Sequence, residues 1–431
     1  MMEEQIYKRV PARRFPEFKN DGEWEKSIFS DVLDFLPNNT LSRADLNYDK
    51  GVVKNIHYGD VLIKFGETLD VKESGLPFIT DEKNAQKASQ GALKNGDVVI
   101  ADTAEDEVVG KCTELKNLTN EIVVSGLHTI PVRPNVPFAS SFLGFYLNSE
   151  SYRKQLKPLM QGIKVIAISK GALSTTKVVY PQNPEEQKKI ADCLSSMNDL
   201  ISATKNKLEL LKKQKNGLMQ KLFPANGKTV PEIRFKEFEK DGKWKVKTLG
   251  DITYVLNRRN KSNRNLPIYS INNKGGFAPQ SEQFQGLDSN RRGYDVSLYK
   301  IVTGKTFVYN PARINVGSIG YSGDIKECIV SSLYVCFKTI DEMDDDFLMC
   351  LLGTSCFRQG VENNVEGGIR NYLFYENFSK IKIMLPSFSE QKKISLCLKA
   401  VDAKISSFSC KIAELEFLKK GVLQGVFPTT I

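Results

Sequence analysis

The chain has 431 residues, of which 41% are hydrophobic and 26% charged, as in a folded protein with more than one domain. The net charge of +10 favours a polyanionic partner, because each phosphate neutralised by a basic side chain releases condensed counterions; the alternative is a generically basic cytosolic protein. No apolar run reaches the roughly 20 residues that span a bilayer, and the first residues lack the apolar core of a signal peptide. We therefore expect a soluble, cytoplasmic protein with no membrane contact.

Cysteine and histidine usage argues against two further classes of protein. The eight cysteines include no CxxC pair, and the two histidines, His57 and His128, are far apart in the sequence. This pattern favours reduced thiols over a disulfide framework, and it offers no ligand set for zinc. We expect no metal site.

The amino-terminal segment opens a long internal repeat. It reads Arg14-Phe15-Pro16-Glu17-Phe18, Asp21-Gly22 and Trp24, and it returns as Arg234-Phe235-Lys236-Glu237-Phe238, Asp241-Gly242 and Trp244. A second segment, Glu186-Gln187-Lys188-Lys189-Ile190, returns as Glu390-Gln391-Lys392-Lys393-Ile394. Each copy ends at a Phe-Pro pair, at residues 223–224 and 427–428. The sequence is therefore one unit written twice.

Between these repeats lie two divergent stretches, residues 25–180 and 245–385, with short apolar runs, Gly and Asn turns and scattered charges. This sequence pattern predicts globular α/β or α+β domains. Both contain a glycine-led strand pattern, at residues 96–101 and 304–309. We divide the chain into a first domain with its amino-terminal segment (1–180), a helix (184–224), a second domain (225–385) and a second helix (387–428).

The two segments that follow the domains predict long helices. Positions that step alternately by four and three residues are apolar, apart from Thr204, Lys215 and Lys419. The apolar members assigned to the seam are Ile190, Leu194, Met197, Ile201, Leu208 and Leu211 in one helix, and Ile394, Leu398, Val401, Ile405, Phe408 and Ile412 in the other. A mean step of 3.5 is typical of a coiled coil, so we expect the helices to pair, antiparallel, with each other. The seam lysines either fix the register or extend to solvent at a frayed end.

Several fragments resemble catalytic motifs without completing them. Gly304-Lys305-Thr306 lacks the first glycine of a phosphate-binding loop, since Tyr299 occupies that position. Glu114-Leu115-Lys116, with Asp102 upstream, matches a nuclease carboxylate–lysine set that arises by chance in a chain rich in both residue types. The tetrapeptide that supports amino methylation is absent from the sequence. We therefore expect no active site in this chain.

Basic residues in polar, turn-rich stretches are the candidates for contact with nucleic acid. Arg and Asn side chains read guanine and adenine edges, whereas Lys mostly holds phosphate. The alternative for each residue is a solvated surface charge. The candidates are Arg258, Arg259, Lys261, Arg264, Arg291, Arg292 and Arg370 in the second domain, and Lys83, Lys87, Arg133, Lys164 and Lys170 in the first.

The order of these segments resembles the specificity subunit of a type I restriction-modification enzyme, over essentially the whole chain. The paired Glu-Gln-Lys-Lys-Ile helix starts, the two Phe-Pro ends and Pro311-Ala312-Arg313-Ile314-Asn315-Val316-Gly317 carry the resemblance. The first domain has no counterpart of this last run, and Asp102-Thr103-Ala104-Glu105-Asp106 stands near that place. The resemblance implies a mixed α+β fold with an internal pseudo-twofold repeat. In it, two α/β target-recognition domains are separated by two long antiparallel coiled-coil helices.

The resemblance also implies a function in recognition of double-stranded DNA. Each domain would read one half of a bipartite site, and the helices would set the spacer and dock two modification subunits. The chain itself would be non-catalytic and hold no cofactor. S-adenosylmethionine would belong to the modification subunits, and ATP and Mg to the restriction and translocase subunits. The alternative is a stand-alone, non-catalytic DNA-binding protein, although no helix-turn-helix pattern stands out.

Overall fold

The computed structural model describes residues 9–272, 276–283, 289, 293, 295–365 and 372–428. These residues form two compact units. Each is a mixture of helix and sheet, the fold class that the sequence predicts. One unit contains the chain up to Lys205 and the segment from Cys410 onward; the other contains Asn206–Ser409. Both unit boundaries fall inside long helices, so each unit contains part of both.

The first unit is built around a mixed five-stranded sheet and a smaller four-stranded one, with strand orders β2-β11-β7-β9-β5 and β10-β4-β6-β3. Two further pairs, β1-β13 and β12-β8, complete it. The strands are β1 (Glu25–Ile28), β2 (Leu33–Phe35), β3 (Leu46–Asn47), β4 (Val53–Ile56), β5 (Thr68–Asp70), β6 (Phe78–Ile79), β7 (Val98–Ala101), β8 (Thr103–Ala104), β9 (Cys112–Lys116), β10 (Ile122–Ser125), β11 (Thr129–Pro134), β12 (Ile166–Ala167) and β13 (Lys177–Tyr180). The helices up to the end of this domain are α1 (Phe29–Val32), α2 (Tyr58–Ile63), α3 (Glu82–Ala88), α4 (Phe142–Asn148), α5 (Glu150–Leu156) and α6 (Lys170–Ser174).

The second unit repeats part of this arrangement. Its largest sheet among the described residues has the order β15-β22-β19-β20, and the pairs β14-β23, β16-β17 and β18-β21 lie beside it. The strands are β14 (Lys245–Thr248), β15 (Thr253–Leu256), β16 (Tyr269–Asn272), β17 (Gly276–Pro279), β18 (Lys300–Thr303), β19 (Phe307–Tyr309), β20 (Ile319–Tyr321), β21 (Glu327–Val330), β22 (Val335–Thr339) and β23 (Lys382–Leu385). The long helix α7 (Pro184–Leu222) precedes this domain, which contains α8 (Leu249–Ile252), α9 (Gln280–Gln283), α10 (Asp345–Leu352), α11 (Ser355–Asn364) and α12 (Tyr375–Phe378); the long helix α13 (Phe388–Val426) follows it.

The glycine-led patterns form central strands of matching sheets. β7 pairs with β11 on one side and β9 on the other, and β19 pairs in the same way with β22 and β20. Every residue of β7 and of β19 is buried, as expected for an apolar run covered on both faces. The strand expectation is confirmed for both domains, and the order β2-β11-β7-β9 corresponds to β15-β22-β19-β20.

The two long helices match the predicted seam. Each has 39 residues, about 58 Å at 1.5 Å per residue, and every predicted seam position is buried or half-buried. In the first unit Ile190 and Leu194 share a core with Val426, and in the second Leu222 shares a core with Ile394. In each unit, therefore, the start of one helix lies with the end of the other, and the pairing is antiparallel.

The polar seam positions are each satisfied. The hydroxyl of Thr204 donates to the carbonyl oxygen of Leu200 at 2.6 Å, a bond typical of threonine within a helix. Lys215 forms an ion pair with Asp402 at 2.6 Å. Lys419 pairs with Glu67 of the first domain, also at 2.6 Å. Neither lysine simply extends to solvent.

The repeated segments meet at a buried ion pair in each unit. Arg14 donates from Nε and Nη2 to the two carboxylate oxygens of Glu186, each at 2.7 Å, and Nε1 of Trp24 donates to the same carboxylate at 3.3 Å. Arg234, Glu390 and Trp244 repeat the arrangement at 2.8, 2.7 and 3.3 Å. The repeated residues thus attach the start of each domain to the helix that follows it. We call each set of three residues a clamp.

The Phe-Pro ends close the same two sites. Phe427 packs edge-on against Trp24, with ring centroids 6.3 Å apart, and Phe223 packs edge-on against Trp244 at 6.2 Å. Each clamp is therefore covered by the phenylalanine at the end of the other long helix. This arrangement explains why the opening, the helix start and the Phe-Pro pair are repeated together.

Candidate nucleic-acid interface

The predicted basic segment of the second domain, residues 258–264, follows β15 and forms an exposed strip. Asn260 is fully buried within it, and its side-chain amide bonds both the N–H and the carbonyl oxygen of Arg264 at 2.9 Å. The N–H of Asn260 donates to the carbonyl oxygen of Tyr299 at 2.8 Å. This buried asparagine holds the backbone in place, while Arg258, Arg259, Lys261 and Arg264 are exposed around it.

Two of these arginines converge on one carboxylate. Arg264 donates to both oxygens of Glu327, and Nη1 of Arg258 lies 3.8 Å from Oε1. The hydrogen bonds from Arg264 hold the pKa of Glu327 below its usual value, so this carboxylate is ionised at neutral pH. Arg259 and Lys261 have no ion-pair partner within the described ranges. The strip therefore keeps a net positive charge.

Lys300 extends this strip, although it lies outside the basic segments that the sequence predicts. Arg259 and Lys300 form an isolated antiparallel bridge, and Nζ of Lys300 donates to the carbonyl oxygen of Tyr334 at 2.6 Å. Burial lowers the pKa of the Lys300 ammonium. Only the fold brings residues 259, 300 and 334 together, so no local pattern could have identified Lys300.

The first domain displays its basic candidates less densely. Lys83 and Lys87 are exposed one turn apart on α3, and Lys87 borders a groove of about 360 Å³ that residues 37–41 also line. Nζ of Lys170 lies 3.5 Å from the carbonyl oxygen of Leu36, next to that segment. Lys164 is exposed before β12. Of the predicted lysines, Lys87 lines this groove, Lys83 lies one turn before it on α3, and Lys170 lies near the segment that forms one wall.

Arg133 differs from these lysines. Its Nε and Nη2 donate to both oxygens of Asp97, at 2.8 and 2.6 Å, and the Asp97 side chain is buried. This bonding raises the pKa of the Arg133 guanidinium. A bidentate pair with a buried carboxylate gives the residue a structural task within the sheet.

Three predicted residues lie outside the part of the chain that the structure describes: Arg291, Arg292 and Arg370. Their assignment stays a prediction.

The nuclease-like residues do not assemble. Glu114 is buried, where its carboxylate accepts hydrogen bonds from the backbone N–H groups of Ser141 and Gly144 at the start of α4. Burial raises its pKa to about 7. Asp102 instead accepts a hydrogen bond from Thr103 and faces His128. Glu114 therefore caps a helix rather than joining a catalytic set.

The two histidines, distant in sequence, both pack against the ring of Tyr58. The Tyr58 ring lies 4.6 Å from the His57 ring and 5.3 Å from the His128 ring, measured between centroids. Nδ1 of His57 accepts a hydrogen bond from the N–H of Gly59, and burial lowers the pKa of this imidazole. Within the described ranges, no group of three or more His, Cys, Asp or Glu side chains could hold a metal ion. Nor do those ranges include a helix that is long and apolar enough to cross a membrane.

Comparisons with known proteins agree with this architecture. The family described as the type I restriction modification DNA specificity domain matches residues 21–213 and 241–416, one match for each half. The putative type I restriction enzyme MjaX specificity subunit of Methanocaldococcus jannaschii is 24% identical over 97% of this chain and 95% of its own length. The MjaVIII specificity subunit of the same organism is 25% identical over 62% of this chain and 65% of its own length.

Solved structures show the same fold. The S subunit of a type I restriction-modification system from M. genitalium superposes with a TM-score of 0.57 at 14% identity, covering 98% of this chain and all of that one. A chain from a study of complex assembly and conformational transition in the type I system gives 0.51 at 16% identity, covering 95% and 98%. With both halves of the sequence matched and the fold shared, this chain belongs to the family of type I restriction-modification specificity subunits.

Proposed function

We propose that each unit of this specificity subunit reads one half of a bipartite double-stranded DNA site. The observation that carries the proposal is one repeated frame that bears two different surfaces. The two clamps have the same geometry to within 0.1 Å. The distance from arginine Nε to the glutamate carboxylate is 2.7 Å in one and 2.8 Å in the other, and that from Nη2 is 2.7 Å in both. The exposed basic residues, in contrast, include Lys83 and Lys87 on α3 in one domain and the strip 258–264 in the other.

The repeated frame also supports docking of two copies of one partner. Glu17 pairs with Lys189 at 3.2 Å, and Glu237 pairs with Lys393 at 2.9 Å, on the exposed side of each helix start. A twice-repeated surface suits two identical subunits. We assign these partners as modification subunits, which would bind S-adenosylmethionine and methylate adenine. Restriction subunits would bring ATP, Mg and DNA translocation. The two helices would set the number of unspecified base pairs between the half-sites.

Mapping methylated adenines tests the function. A host would express this chain with the modification subunit of its own system, and the control host would express that modification subunit alone. We expect a split motif, two short specified halves around a fixed gap, only when this chain is present. Equal methylation without the chain, or none despite a stable complex, would point to a stand-alone DNA-binding protein instead.

A further inference from the structure

We propose that the turn at residues 311–317 reads base edges in the half-site of the second domain, through Arg313 and Asn315. The strip 258–264 beside it would hold the phosphate backbone. This inference rests on the function proposed above and assigns separate tasks to two parts of one surface.

The turn is built as a rigid platform between β19 and β20. The N–H of Asn310 donates to the carbonyl oxygen of Ser318 at 3.0 Å, and the N–H groups of Val316 and Ser318 both donate to the carbonyl oxygen of Arg313. Pro311 and Ile314 are buried beneath it. Gly317 has a φ of 85°, which a side chain rarely permits, so glycine is needed to close the turn.

The two polar side chains at the crest of this turn are open to solvent. Arg313 and Asn315 are exposed, and neither side chain forms a hydrogen bond or ion pair with another residue in the described ranges. Arg258 and Arg264, in contrast, share Glu327. A guanidinium and an amide held on a fixed backbone are the groups that bond guanine and adenine edges in pairs.

The turn and the strip belong to one continuous surface. Arg259 bridges to Lys300, and Lys300 bonds the carbonyl oxygen of Tyr334. Tyr334 precedes Val335, which pairs with Tyr309 of β19, two residues before the turn 311–317. Leu333, beside Tyr334, is 77% exposed, and Val316 within the turn is 55% exposed. Exposed apolar groups beside Arg and Asn suit contact with bases, whose thymine methyl groups are apolar, better than contact with phosphate alone.

The equivalent turn of the first domain has different chemistry. It lies between β7 and β9, as the turn 311–317 lies between β19 and β20, and after the short strand β8 it carries Glu105, Asp106 and Glu107. Glu107 pairs with Lys157 at 3.0 Å. Carboxylates would repel phosphate, so the assignment applies to the second domain alone.

Substitutions at Arg313 separate base reading from phosphate contact. The complex with the modification subunit would be purified with the wild-type chain or with Arg313→Lys, Arg313→Ala, Asn315→Ala or Arg258→Ala. DNA binding and the methylated motif would then be measured for each. For Arg313→Lys and Arg313→Ala we expect one specified base in one half-site to become degenerate, with about 5- to 150-fold loss of discrimination. Asn315→Ala should relax a neighbouring position. Arg258→Ala should keep the motif and lower the salt slope of binding by about one.

Arg358→Ala is the matched control, since Arg358 is exposed on α11 and lines a pocket with Asn216 and Met219 of α7, not with the turn or the strip. An unchanged motif and affinity in both Arg313 variants, as in this control, would overturn the assignment. The assignment would also be overturned if Arg313→Ala weakened binding to all sequences equally and Arg313→Lys restored it fully. That result would indicate a phosphate contact, which accepts either cation. If the wild-type chain itself directs no split motif, the proposed function fails; if it does and the Arg313 variants leave every position specified, only this inference fails.

Discussion

Glu67 of the first domain accepts hydrogen bonds from Nζ of Lys419 at 2.6 Å and from Nδ2 of Asn198 at 3.1 Å, and so joins the domain to both long helices. When the helices are aligned on Ile190 and Ile394, Lys419 corresponds to Lys215 and Asn198 corresponds to Asp402. Lys215 pairs directly with Asp402. In the first unit, therefore, the seam lysine forms its ion pair with a carboxylate of the domain, and in the second unit it forms one with a carboxylate of the other long helix.

Removing the carboxylate of Glu67 should destabilise the first unit. Glu67→Gln leaves Lys419, whose side chain is only 17% exposed, without an ionised partner, at an expected cost of about 1–3 kcal/mol in the free energy of unfolding. Asn198→Asp in the same chain should restore stability, because it recreates the pairing seen in the other unit. Urea unfolding measures both effects, with Glu73→Gln as the exposed control in the same groove. A double variant no more stable than Glu67→Gln would contradict the electrostatic explanation.

The same carboxylate should contribute a defined pH dependence. Burial alone would raise its pKa, but the charge of Lys419 and the hydrogen bonds outweigh burial and hold the pKa below the 4.5 of a free glutamate. Because the folded value is the lower one, the stabilisation is present above pH 4.5 and disappears as the pH falls through the folded pKa. The stability difference between the wild-type chain and Glu67→Gln should therefore be full at neutral pH and shrink below pH 4.5. A difference that stays constant over this range would exclude titration of Glu67 as its source.

How far the sequence predicts this molecule depends on the range of each interaction. The seam from Ile190 to Leu222 is a local period, so its helix and its buried face could be predicted without the fold. The repeats identify Arg14, Trp24 and Glu186 as special, but not as partners, because their contacts span more than 160 residues. Arg133 and Lys87 look alike in sequence, and only the buried Asp97 distinguishes them. Lys300 carries no local signal at all.

The clamps offer a test in which each unit has its own reporter. The two tryptophans are Trp24 and Trp244, one in each clamp, so Trp244→Phe leaves a fluorophore in the first unit and Trp24→Phe leaves one in the second. Arg14→Ala leaves Glu186, 1% exposed, without its cation, and should cost about 3–5 kcal/mol.

Thermal unfolding followed by fluorescence should show a larger fall in the midpoint for Arg14→Ala when Trp24 is the reporter than when Trp244 is. Arg234→Ala, the matched variant of the second clamp, should reverse the order. Equal shifts at both reporters would mean that the clamps do not act locally.

Arg133 and Lys87 should respond differently to the same substitution. Arg133→Ala leaves the buried carboxylate of Asp97 with only the N–H of Lys94 as a described partner, and should destabilise the chain by about 1–3 kcal/mol. Lys87→Ala should change stability by less than about 0.5 kcal/mol, since the side chain is exposed. If Lys87 contacts phosphate, its removal should instead lower the salt slope of DNA binding by about one. Urea unfolding and binding at several salt concentrations distinguish the two, and a stable Arg133→Ala protein with weakened binding would return Arg133 to the interface.

Exchange of a whole domain tests both the reading of one half-site by each domain and the role of Glu67. Replacing residues 25–180 with the corresponding domain of another family member keeps Trp24 and Glu186 in the frame, so the clamp is retained. Mapping of methylated adenines should then show one half-site changed and the other unchanged. A donor domain without a carboxylate in place of Glu67 leaves Lys419 unbalanced, and Asn198→Asp should raise the yield of such a chimera.

Replacing residues 245–385 should need no such compensation, because Asp402 on the helix already balances Lys215. If both halves of the motif changed in either chimera, each domain could not be reading its half alone. The opposite result, in which only the exchange of residues 245–385 needed an added carboxylate, would contradict this explanation. It would mean that the pairing of Lys419 with Glu67 and of Lys215 with Asp402 does not decide which domains the helices accept.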